Sequence, residues 1–295
     1  MSVIPMIVLS LIRFVAIAAM LCALPGTVNA ASLIKRTHLL TIAACPPRPG
    51  IGDSSRDACA HLLPILTATL AQRLAVESSD IHQLLNDQAT GPRLLAQLKD
   101  YADRLGPDDR LVITMISHGG TGPDRTRSDE IFMLWTEQPP AFFQLGLATG
   151  VYVPAVEFAA AVHKLRAGEV VVILDACESG LADAVFVSQH PDKRPERPEA
   201  VVTSTTGTQL AMMDVDYSPA FSTRLLAALQ RAHPTLADVL MDAAADMRRD
   251  APGICHGWSA PKRHPLSCEQ DPTLDDPAGL LSRIALRPAQ RLGID

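Results

Sequence analysis

Two unbroken apolar runs, each ending abruptly in chemically reactive residues, limit the possible folds of this chain. The first is Leu111–Ile116, which ends at Ser117-His118-Gly119, and the second is Val170–Leu174, which ends at Asp175-Ala176-Cys177. Runs of Val, Ile and Leu without polar alternation are typical of strands buried on both faces, as in parallel α/β sheets. Ligands and chemistry collect beyond the carboxyl ends of such strands. We therefore expect His118 and Cys177 at one edge of a sheet.

Predicted helices and strands alternate along the rest of the chain. Leucines at helical spacing predict a helix over Asp57 to Ala75, which is followed by a short strand over Asp80 to Leu85 and a helix over Pro92 to Leu105. Further strands are predicted at 39–45, 131–135 and 200–206, and further helices at 154–167, 221–231 and 235–249. This order implies right-handed crossovers and a three-layer α/β fold, with helices on both faces of a mainly parallel sheet.

The motifs at the two strand ends resemble those of a known peptidase family. His118-Gly119 after one strand and Asp175-Ala176-Cys177-Glu178-Ser179-Gly180 after another are similar to the caspase-like cysteine peptidases, in particular the metacaspase and bacterial caspase-domain branch. The 59 residues from His118 to Cys177 are close to the roughly 50 found in caspases. The resemblance spans Leu39 to Arg249 and implies a caspase-like fold. Two departures are Ser117, where the family usually has glycine, and Glu178, where many relatives have His or Arg.

His118 and Cys177 would each have a distinct role in peptide-bond hydrolysis. Cys177 would attack the carbonyl carbon as a thiolate, and His118 would lower the pKa of the thiol and protonate the leaving amine. By resemblance to the family, the backbone amides of Gly119 and Cys177 would bind the oxyanion. A lone buried cysteine is usually an inert small hydrophobe. The position of both residues at strand ends favours function over that interpretation.

Two aspartates are candidate substrate-binding residues. In metacaspases an aspartate two residues before the nucleophile helps to bind Arg or Lys on the acyl side of the scissile bond, so Asp175 implies cleavage after basic residues. Asp57, at the start of the first helix, is the candidate second acid, or else a helix-start residue favoured by the macrodipole. Ser117-His118-Gly119-Gly120 also resembles the legumain-type peptidases, which cleave after Asn. A catalytically inactive domain used for protein binding is a further alternative.

The first thirty residues have the composition of a secretory signal peptide. They carry a single charge, Arg13, and end at Val28-Asn29-Ala30. A membrane anchor over Val3 to Leu24 is the alternative. We expect cleavage, and hence a periplasmic or secreted protein that is not held in the membrane. The formal net charge of −6 argues against nucleic-acid binding, which requires clustered Lys and Arg.

The cysteine count indicates disulfide bonds and one free thiol. Five of the six cysteines lie after the signal peptide, and four remain if Cys177 is the nucleophile. Four cysteines allow three connectivities, of which we favour Cys45 with Cys59 and Cys255 with Cys268. A zinc site built from Cys255, His256, His264 and Cys268 is the less favoured alternative. We expect no cofactor and no metal, and a protein or peptide as substrate.

The remaining segments are predicted from composition. Residues 31–250 would form the caspase-like peptidase domain, and residues 251–295 a Pro-rich C-terminal extension. The Pro-rich, charged segment Ser188 to Glu199 predicts a solvated loop. Caspases are processed in the equivalent connection, so Lys193, Arg194 and Arg197 are candidate sites of self-cleavage.

Overall fold

The two apolar runs form neighbouring central strands of a six-stranded sheet. The computed structural model describes residues 34–46, 53–122, 130–188, 197–257 and 268–289. The strands of this sheet are β1 (Arg36–Ala43), β2 (Ile81–Leu85), β3 (Asp109–Ile116), β7 (Glu169–Asp175), β8 (Glu199–Thr203) and β9 (Thr273–Asp275). Their order across the sheet is β2-β1-β3-β7-β8-β9. The first five strands are parallel, and β9 is antiparallel to β8.

Helices cover both faces of the sheet. They are α1 (Ser54–Leu74), α2 (Gly91–Arg104), α3 (Phe143–Ala148), α4 (Ala155–His163), α5 (Gly180–Ser188), α6 (Ala220–Leu229), α7 (Leu236–Gly257) and α8 (Leu280–Arg283). Residues of α1, α6 and α7 form one hydrophobic core with the sheet, and residues of α2, α4 and α5 form a second core on the opposite face. The predicted three-layer α/β fold with a mainly parallel sheet is confirmed.

The side chains of β7 show why its sequence lacks polar alternation. Val170, Val172 and Leu174 belong to the core beneath α2, α4 and α5, whereas Val171 and Ile173 belong to the core beneath α1 and α6. Successive side chains of a strand point to opposite faces. Because both faces of this strand are covered by helices, its five central positions are all apolar.

A small antiparallel sheet lies next to the carboxyl edge of β3. It consists of β4 (His118–Thr121), β5 (Glu130–Met133) and β6 (Tyr152–Pro154). Strand β4 begins two residues after β3 ends, so the predicted catalytic histidine is the first residue of this second sheet. Pairing of His118 with Met133 therefore fixes the backbone that carries the imidazole.

The structure differs from the predicted domain boundary at Asp250. Helix α7 continues to Gly257, and β9 adds an edge strand in which Leu274 pairs with Val202 of β8. The described residues after 250 thus pack within the sheet and cores instead of forming a separate extension, because Leu280, Leu281 and Ile284 are buried in the core beneath α7. The predicted signal peptide lies outside the described residues. No helix in the described ranges combines the length and apolarity that a bilayer crossing requires.

Candidate active site

The pairing of β3 with β7 brings the predicted histidine and cysteine to the same edge of the sheet. Ile116 is paired with Asp175, and the Ser117 amide donates a hydrogen bond to the Asp175 carbonyl oxygen at 3.1 Å. His118 lies two residues beyond Ile116, and Cys177 lies two residues beyond Asp175. Both residues line one cleft. The tertiary structure therefore brings together two side chains that are remote in the sequence.

Gly119 lies directly against the backbone of the cysteine turn. A Cβ atom at this position would overlap the carbonyl oxygen of Cys177 and would lie 3.1 Å from Cβ of Ala176. No other residue type fits here unless the backbone moves, which explains the glycine after His118. Gly119 is also held in β4 by its pairing with Phe132. The three predicted catalytic residues are therefore neighbours.

Cys177 lies in a tight turn between β7 and α5. The next residue, Glu178, has a left-handed backbone conformation with a φ of 57°, which is uncommon for residues other than glycine and recurs at functional turns. The Glu178 amide donates to the carbonyl oxygen of Gln209 at 2.8 Å, and the Ser179 amide donates to Oγ1 of Thr205 at 3.0 Å. These bonds fix the turn. Cys177 is the one cysteine of the described ranges that is outside a disulfide bond, and it is partly exposed.

The cleft around this thiol is small and is built from several distant parts of the chain. Its volume is about 60 Å³, whereas pockets for small-molecule ligands measure roughly 300 to 1,000 Å³. The cleft therefore accommodates the end of one side chain. It lies between the end of β1, the start of α1, the ends of β3 and β7, and the loop before α6. Its lining residues are Cys45, Ser55, Cys59, Ile116, Ser117, His118, Asp175, Cys177, Ala211, Met212, Met213, Tyr217 and Pro219.

Asp175 lines this cleft as a buried carboxyl group. Its side chain accepts hydrogen bonds at Oδ2 from the Ser222 amide at 2.9 Å and from the Ser222 hydroxyl at 2.6 Å. Burial raises the pKa of Asp175 above its ordinary value, and hydrogen bonds from Ser222 and Ser204 offset part of that increase. Within the described ranges, no Lys, Arg or His forms an ion pair with this carboxyl group.

Two serine hydroxyl groups of the cleft were not predicted as site residues. Ser55 and Ser117 are buried, with 2% and 9% of their surface exposed, and both line the cleft. Neither Oγ atom has a hydrogen-bond partner among the described residues. Buried hydroxyl groups without a partner are rare and mark places where a ligand or solvent supplies the bond. Ser117 stands out in the sequence as a departure from the family's glycine, but nothing local distinguishes Ser55.

The structure does not bring Asp57 into the cleft. Its side chain is 69% exposed and lies 3.4 Å from the Arg56 guanidinium, and it is absent from the cleft lining. Asp57 is in the first turn of α1, where an acidic side chain stabilises the positive end of the helix dipole. The expectation that Asp57 is the second acid of the pocket is therefore wrong. Ser55, two residues earlier, is the α1 residue that lines the cleft.

The two favoured disulfide pairings are present. Cys45 is bonded to Cys59, and Cys255 is bonded to Cys268. The second bond rules out the alternative zinc site, because it consumes two of the proposed thiolate ligands. Disulfide bonds persist in oxidising compartments, so both bonds fit a protein that works outside the cytoplasm.

The Arg197 side chain is only 10% exposed, which contradicts its assignment to a solvated loop. It donates hydrogen bonds to the carbonyl oxygens of Leu165 and Val162, and its guanidinium lies 3.0 Å from the Glu199 carboxylate. The Arg197 side chain is therefore held against the folded protein by these bonds, which makes it a poor site for self-cleavage. The other two candidate cleavage sites, Lys193 and Arg194, lie outside the described residues.

A second buried carboxyl group lies close to the cysteine turn. Glu130, the first residue of β5, is fully buried, and neither of its carboxyl oxygens has a hydrogen-bond partner among the described residues. Burial, reinforced by repulsion from Glu178, raises the pKa of Glu130 to about 9. Glu130 is therefore a neutral acid at pH 7 and adds no negative charge beside Glu178. The sequence gives no signal of this arrangement, since Glu130 follows a polar stretch that resembles a loop.

A larger surface groove lies elsewhere, between α2 and α4. Its volume is about 670 Å³, and its lining includes Lys99, Asp103, Glu157 and Lys164 but no histidine, cysteine or serine. This groove therefore lacks a thiol or hydroxyl nucleophile and an imidazole group, which would titrate near neutral pH. The chemistry of the described residues favours the smaller cleft at Cys177 as the candidate active site.

Comparison with known proteins supports the fold and does not identify the activity. No protein-family model matches the chain, and no curated protein matches it. Among solved structures, the chain is similar to the crystal structure of protein GSU0716 from Geobacter sulfurreducens, with a TM-score of 0.53 and 15% sequence identity. The similarity covers 83% of this chain and 97% of that chain. At this identity the similarity concerns the α/β architecture alone.

Proposed function

We propose that this protein is an exported, caspase-like cysteine endopeptidase with a His118 and Cys177 dyad. The observation that carries the proposal is the placement of both side chains in one cleft, at the ends of adjacent parallel strands, with Gly119 packed against the cysteine backbone. Packing at a strand end does not by itself require a histidine or a cysteine. The resemblance of the His-Gly and Asp-Ala-Cys motifs to caspase-like peptidases supports the same function.

The reaction begins when the Cys177 thiolate attacks the carbonyl carbon of the scissile peptide bond. A carbon–sulfur bond forms, and the carbonyl oxygen becomes an oxyanion that accepts hydrogen bonds from the Gly119 and Cys177 amides. The His118 imidazolium donates its proton to the leaving amine as the carbon–nitrogen bond breaks. A water molecule, deprotonated by His118, then attacks the acyl-thioenzyme. The peptide acid leaves, and the thiolate is restored.

The position of Cys177 before α5 favours the thiolate form. The helix begins at Gly180, three residues after the cysteine, and the amino-terminal end of a helix carries a partial positive charge. Cysteines near such ends have a lowered pKa. The neighbouring Glu178, when ionised, disfavours the thiolate because the two negative charges repel each other. Protonation of the neighbouring Glu130 limits the negative charge in this region.

Asp175 and two serines favour a basic residue on the acyl side of the scissile bond. The buried Asp175 carboxyl group lacks a cationic partner among the described residues, and Ser55 and Ser117 offer hydroxyl oxygens as acceptors in the same cleft. A guanidinium group has five N–H donors and no acceptor, and its charge stabilises a buried carboxylate. An arginine side chain therefore supplies hydrogen-bond donors to Asp175, Ser55 and Ser117. A lysine side chain also carries a positive charge but has fewer N–H donors.

Asparagine specificity is the second candidate. Burial raises the pKa of Asp175, and a protonated carboxyl group can donate a hydrogen bond to the oxygen of a side-chain amide. The serine hydroxyl groups can accept from the amide nitrogen or donate to the amide oxygen. A neutral Asp175 would therefore fit the legumain-like alternative, whereas an ionised Asp175 would fit cleavage after Arg or Lys.

A positional peptide library, assayed under mildly reducing conditions, tests the activity and the specificity together. We expect cleavage after Arg, and to a lesser degree Lys, by the wild-type protein. Cys177→Ala should lower kcat/KM at least about 1,000-fold, because it removes the nucleophile. Cleavage after Asn would favour the alternative specificity. Equal rates for the wild-type protein and Cys177→Ala, or no cleavage by either, would reject the peptidase in favour of a protein-binding domain.

Two matched aspartate variants test the pocket. Asp175→Asn keeps the size of the side chain and removes its charge, so we expect kcat/KM for Arg peptides to fall about 100-fold, as an interaction with a charged group of about 3 kcal/mol predicts. Alkylation of Cys177 by iodoacetamide should continue in this variant. Asp57→Asn, at an exposed carboxylate outside the cleft, is the control and should retain wild-type activity. Retention of Arg cleavage by Asp175→Asn would disprove the assignment of the pocket.

A further inference from the structure

The two disulfide bonds occupy different places relative to the candidate active site. Both cysteines of the Cys45–Cys59 bond line the cleft that contains His118 and Cys177. The cysteines of the Cys255–Cys268 bond do not line it. The described part of the chain therefore contains one disulfide inside the cleft and one elsewhere, with similar sequence separations of 14 and 13 residues.

The strand register places Cys45 beside the catalytic pair. Ala43 is paired with Ile116 in β3, which is paired in turn with Asp175 in β7. Cys45, His118 and Cys177 each lie two residues beyond these positions, past the ends of three adjacent strands. Neighbouring strands are about 4.8 Å apart. The disulfide thus forms part of the cleft wall, next to the end of β1.

The other end of this bond lies on α1, one turn after Ser55. Ser55 and Cys59 are four residues apart, so they share one face of the helix, and both line the cleft. The Cα atoms of Cys45 and Cys59 are 6.3 Å apart. The bond therefore ties the face of α1 that carries Ser55 to the end of the sheet.

Among the residues that the structure describes, few other interactions hold the first turn of α1. Its capping residue Asp53 makes no side-chain capping hydrogen bond. Arg56 pairs with Asp53 at 3.3 Å and with Asp57 at 3.4 Å, but all three side chains are substantially exposed, and such pairs contribute little. The Asn86 side chain donates to the Arg56 carbonyl oxygen at 3.4 Å, a long hydrogen bond. By contrast, later turns of α1 are anchored in the core by residues including Leu63, Leu66 and Leu70.

We propose that the Cys45–Cys59 disulfide is a positioning element of the substrate cleft, which holds the first turn of α1 so that Ser55 faces the bound side chain. This inference rests on the proposed peptidase function. It requires opposite redox states in one cleft, with Cys177 reduced and Cys45–Cys59 oxidised. Two equivalents of an external thiol reduce the bond to two cysteine thiols and form one external disulfide. That reaction releases the first turn and weakens substrate binding, while the nucleophile stays intact.

A pair of double variants tests this role in the full chain. We expect Cys45→Ala with Cys59→Ala to raise KM for an Arg peptide about tenfold, the loss that one hydrogen bond of about 1.4 kcal/mol predicts. We expect kcat to change less than about twofold. The rate of Cys177 alkylation by iodoacetamide should rise at least about threefold, because one wall of the cleft opens locally. The double variant Cys255→Ala with Cys268→Ala is the matched control. Its KM and its rate of Cys177 alkylation should stay close to those of the wild-type protein.

Circular dichroism and thermal unfolding show whether the Cys45 and Cys59 double variant folds. If it does not, Ser55→Ala tests the proposal instead. It should reproduce the increase in KM without changing the disulfide content. In a folded triple variant, the effects of Ser55→Ala and of disulfide loss should be non-additive, because both remove the same contact. A wild-type KM for Ser55→Ala, or fully additive effects, would overturn the proposal.

The two readouts separate failure of this inference from failure of the proposed function. If the wild-type protein cleaves no peptide, the peptidase assignment fails, and the alkylation rates still test whether the disulfide closes the cleft. If the wild-type protein cleaves peptides but both double variants keep its KM and alkylation rate, the disulfide has no positioning role. The peptidase assignment would then stand without it.

Discussion

Asp175 and Glu130 are both buried acids, but they are stabilised in different ways. Asp175 accepts two hydrogen bonds from Ser222 at the start of α6. Glu130 has no hydrogen-bond partner among the described residues, and its pKa is raised to about 9. An acid without donors avoids the cost of a buried charge by keeping its proton. The hydrogen-bonded Asp175 suits a charged ligand in the cleft. The protonated Glu130 makes the folding stability depend on pH.

The raised pKa of Glu130 predicts a loss of stability with increasing pH. Between pH 4.5 and about 9, the unfolded chain has released this proton while the folded protein retains it. The free energy of unfolding should therefore fall across this window, with a slope of at most about 1.4 kcal/mol per pH unit. Below this window Glu130 is protonated in both the folded and the unfolded state, so it contributes nothing to the pH dependence of the free energy of unfolding. We expect Glu130→Gln to be more stable than the wild-type protein by about 2 to 4 kcal/mol at pH 8 and nearly equal to it at pH 5.

Urea unfolding at pH 5 and pH 8 measures this difference. Glu77→Gln is the matched control, because Glu77 is exposed, and it should follow the wild-type protein at both pH values. The assignment is wrong if Glu130→Gln and the wild-type protein lose stability in parallel between the two pH values.

At the scale of elements, Arg73 connects α1 to the end of α6. It is 1% exposed and donates hydrogen bonds to the carbonyl oxygens of Leu229, Arg231 and His233, the last two at 2.7 and 2.6 Å. The last carbonyl groups of a helix have no partner within that helix. Arg73 therefore satisfies the carboxyl end of α6 and fixes the packing of the two helices.

We expect Arg73→Met to lower the free energy of unfolding by about 2 to 4 kcal/mol, because it leaves buried carbonyl groups without donors. Catalytic constants of the folded variant should change little, since Arg73 is 18 residues along α1 from Ser55, or about 27 Å. Thermal and urea unfolding measure the effect, and the exposed Arg93→Met in α2 is the control. A loss of stability no larger than that of the control would contradict this role.

The elements that the sequence predicted best are those with strong local patterns. Strands β3 and β7 and helices α1 and α2 lie within a few residues of their predicted positions, because buried strands and leucine-rich helices have distinct periodicities. Helix α5 was not predicted, since its nine residues carry little amphipathic pattern. Strands β4 and β9 were also missed. They contain four and three residues and exist because a neighbouring strand supplies their hydrogen-bond partners.

At the scale of the whole molecule, the segment after residue 267 supports the wall of the cleft. Gln270 is 1% exposed. It accepts a hydrogen bond from the Met212 amide at 2.8 Å and donates one to the Ser204 carbonyl oxygen at 3.1 Å. Met212 lines the cleft. The carboxyl-terminal part of the chain is thus joined to the candidate active site by a buried amide side chain.

We expect Gln270→Leu to lower both stability and activity. It leaves two backbone groups without partners, which should cost about 2 to 4 kcal/mol in the free energy of unfolding. It should also lower kcat/KM several-fold, because the loop that carries Met212 loses its anchor. Glu269→Leu, at the neighbouring exposed residue, is the control for unfolding and peptidase assays. Wild-type kinetics in a folded Gln270→Leu protein would show that the loop does not depend on this anchor.

The sequence alone determined the α/β class, the two central strands, and the residues that follow them. These features are local, because a strand buried on both faces is mainly apolar along its centre and becomes polar near its ends. The cysteine count, with Cys177 reserved as the thiol, left three connectivities, and the favoured one is present. The sequence therefore identified four candidate site residues before their contacts were known, namely His118, Gly119, Asp175 and Cys177.

The tertiary structure alone decided which side chains share the cleft. It placed Ser55 there and Asp57 in solvent, although the two are neighbours in one helical turn. It also buried Glu130 and paired Arg197 with Glu199, although both Glu130 and Arg197 lie in or beside polar stretches of the sequence. The physical reason is that burial and cleft lining depend on strand register and helix rotation. Both are set by packing between segments far apart in the chain, which no local pattern records.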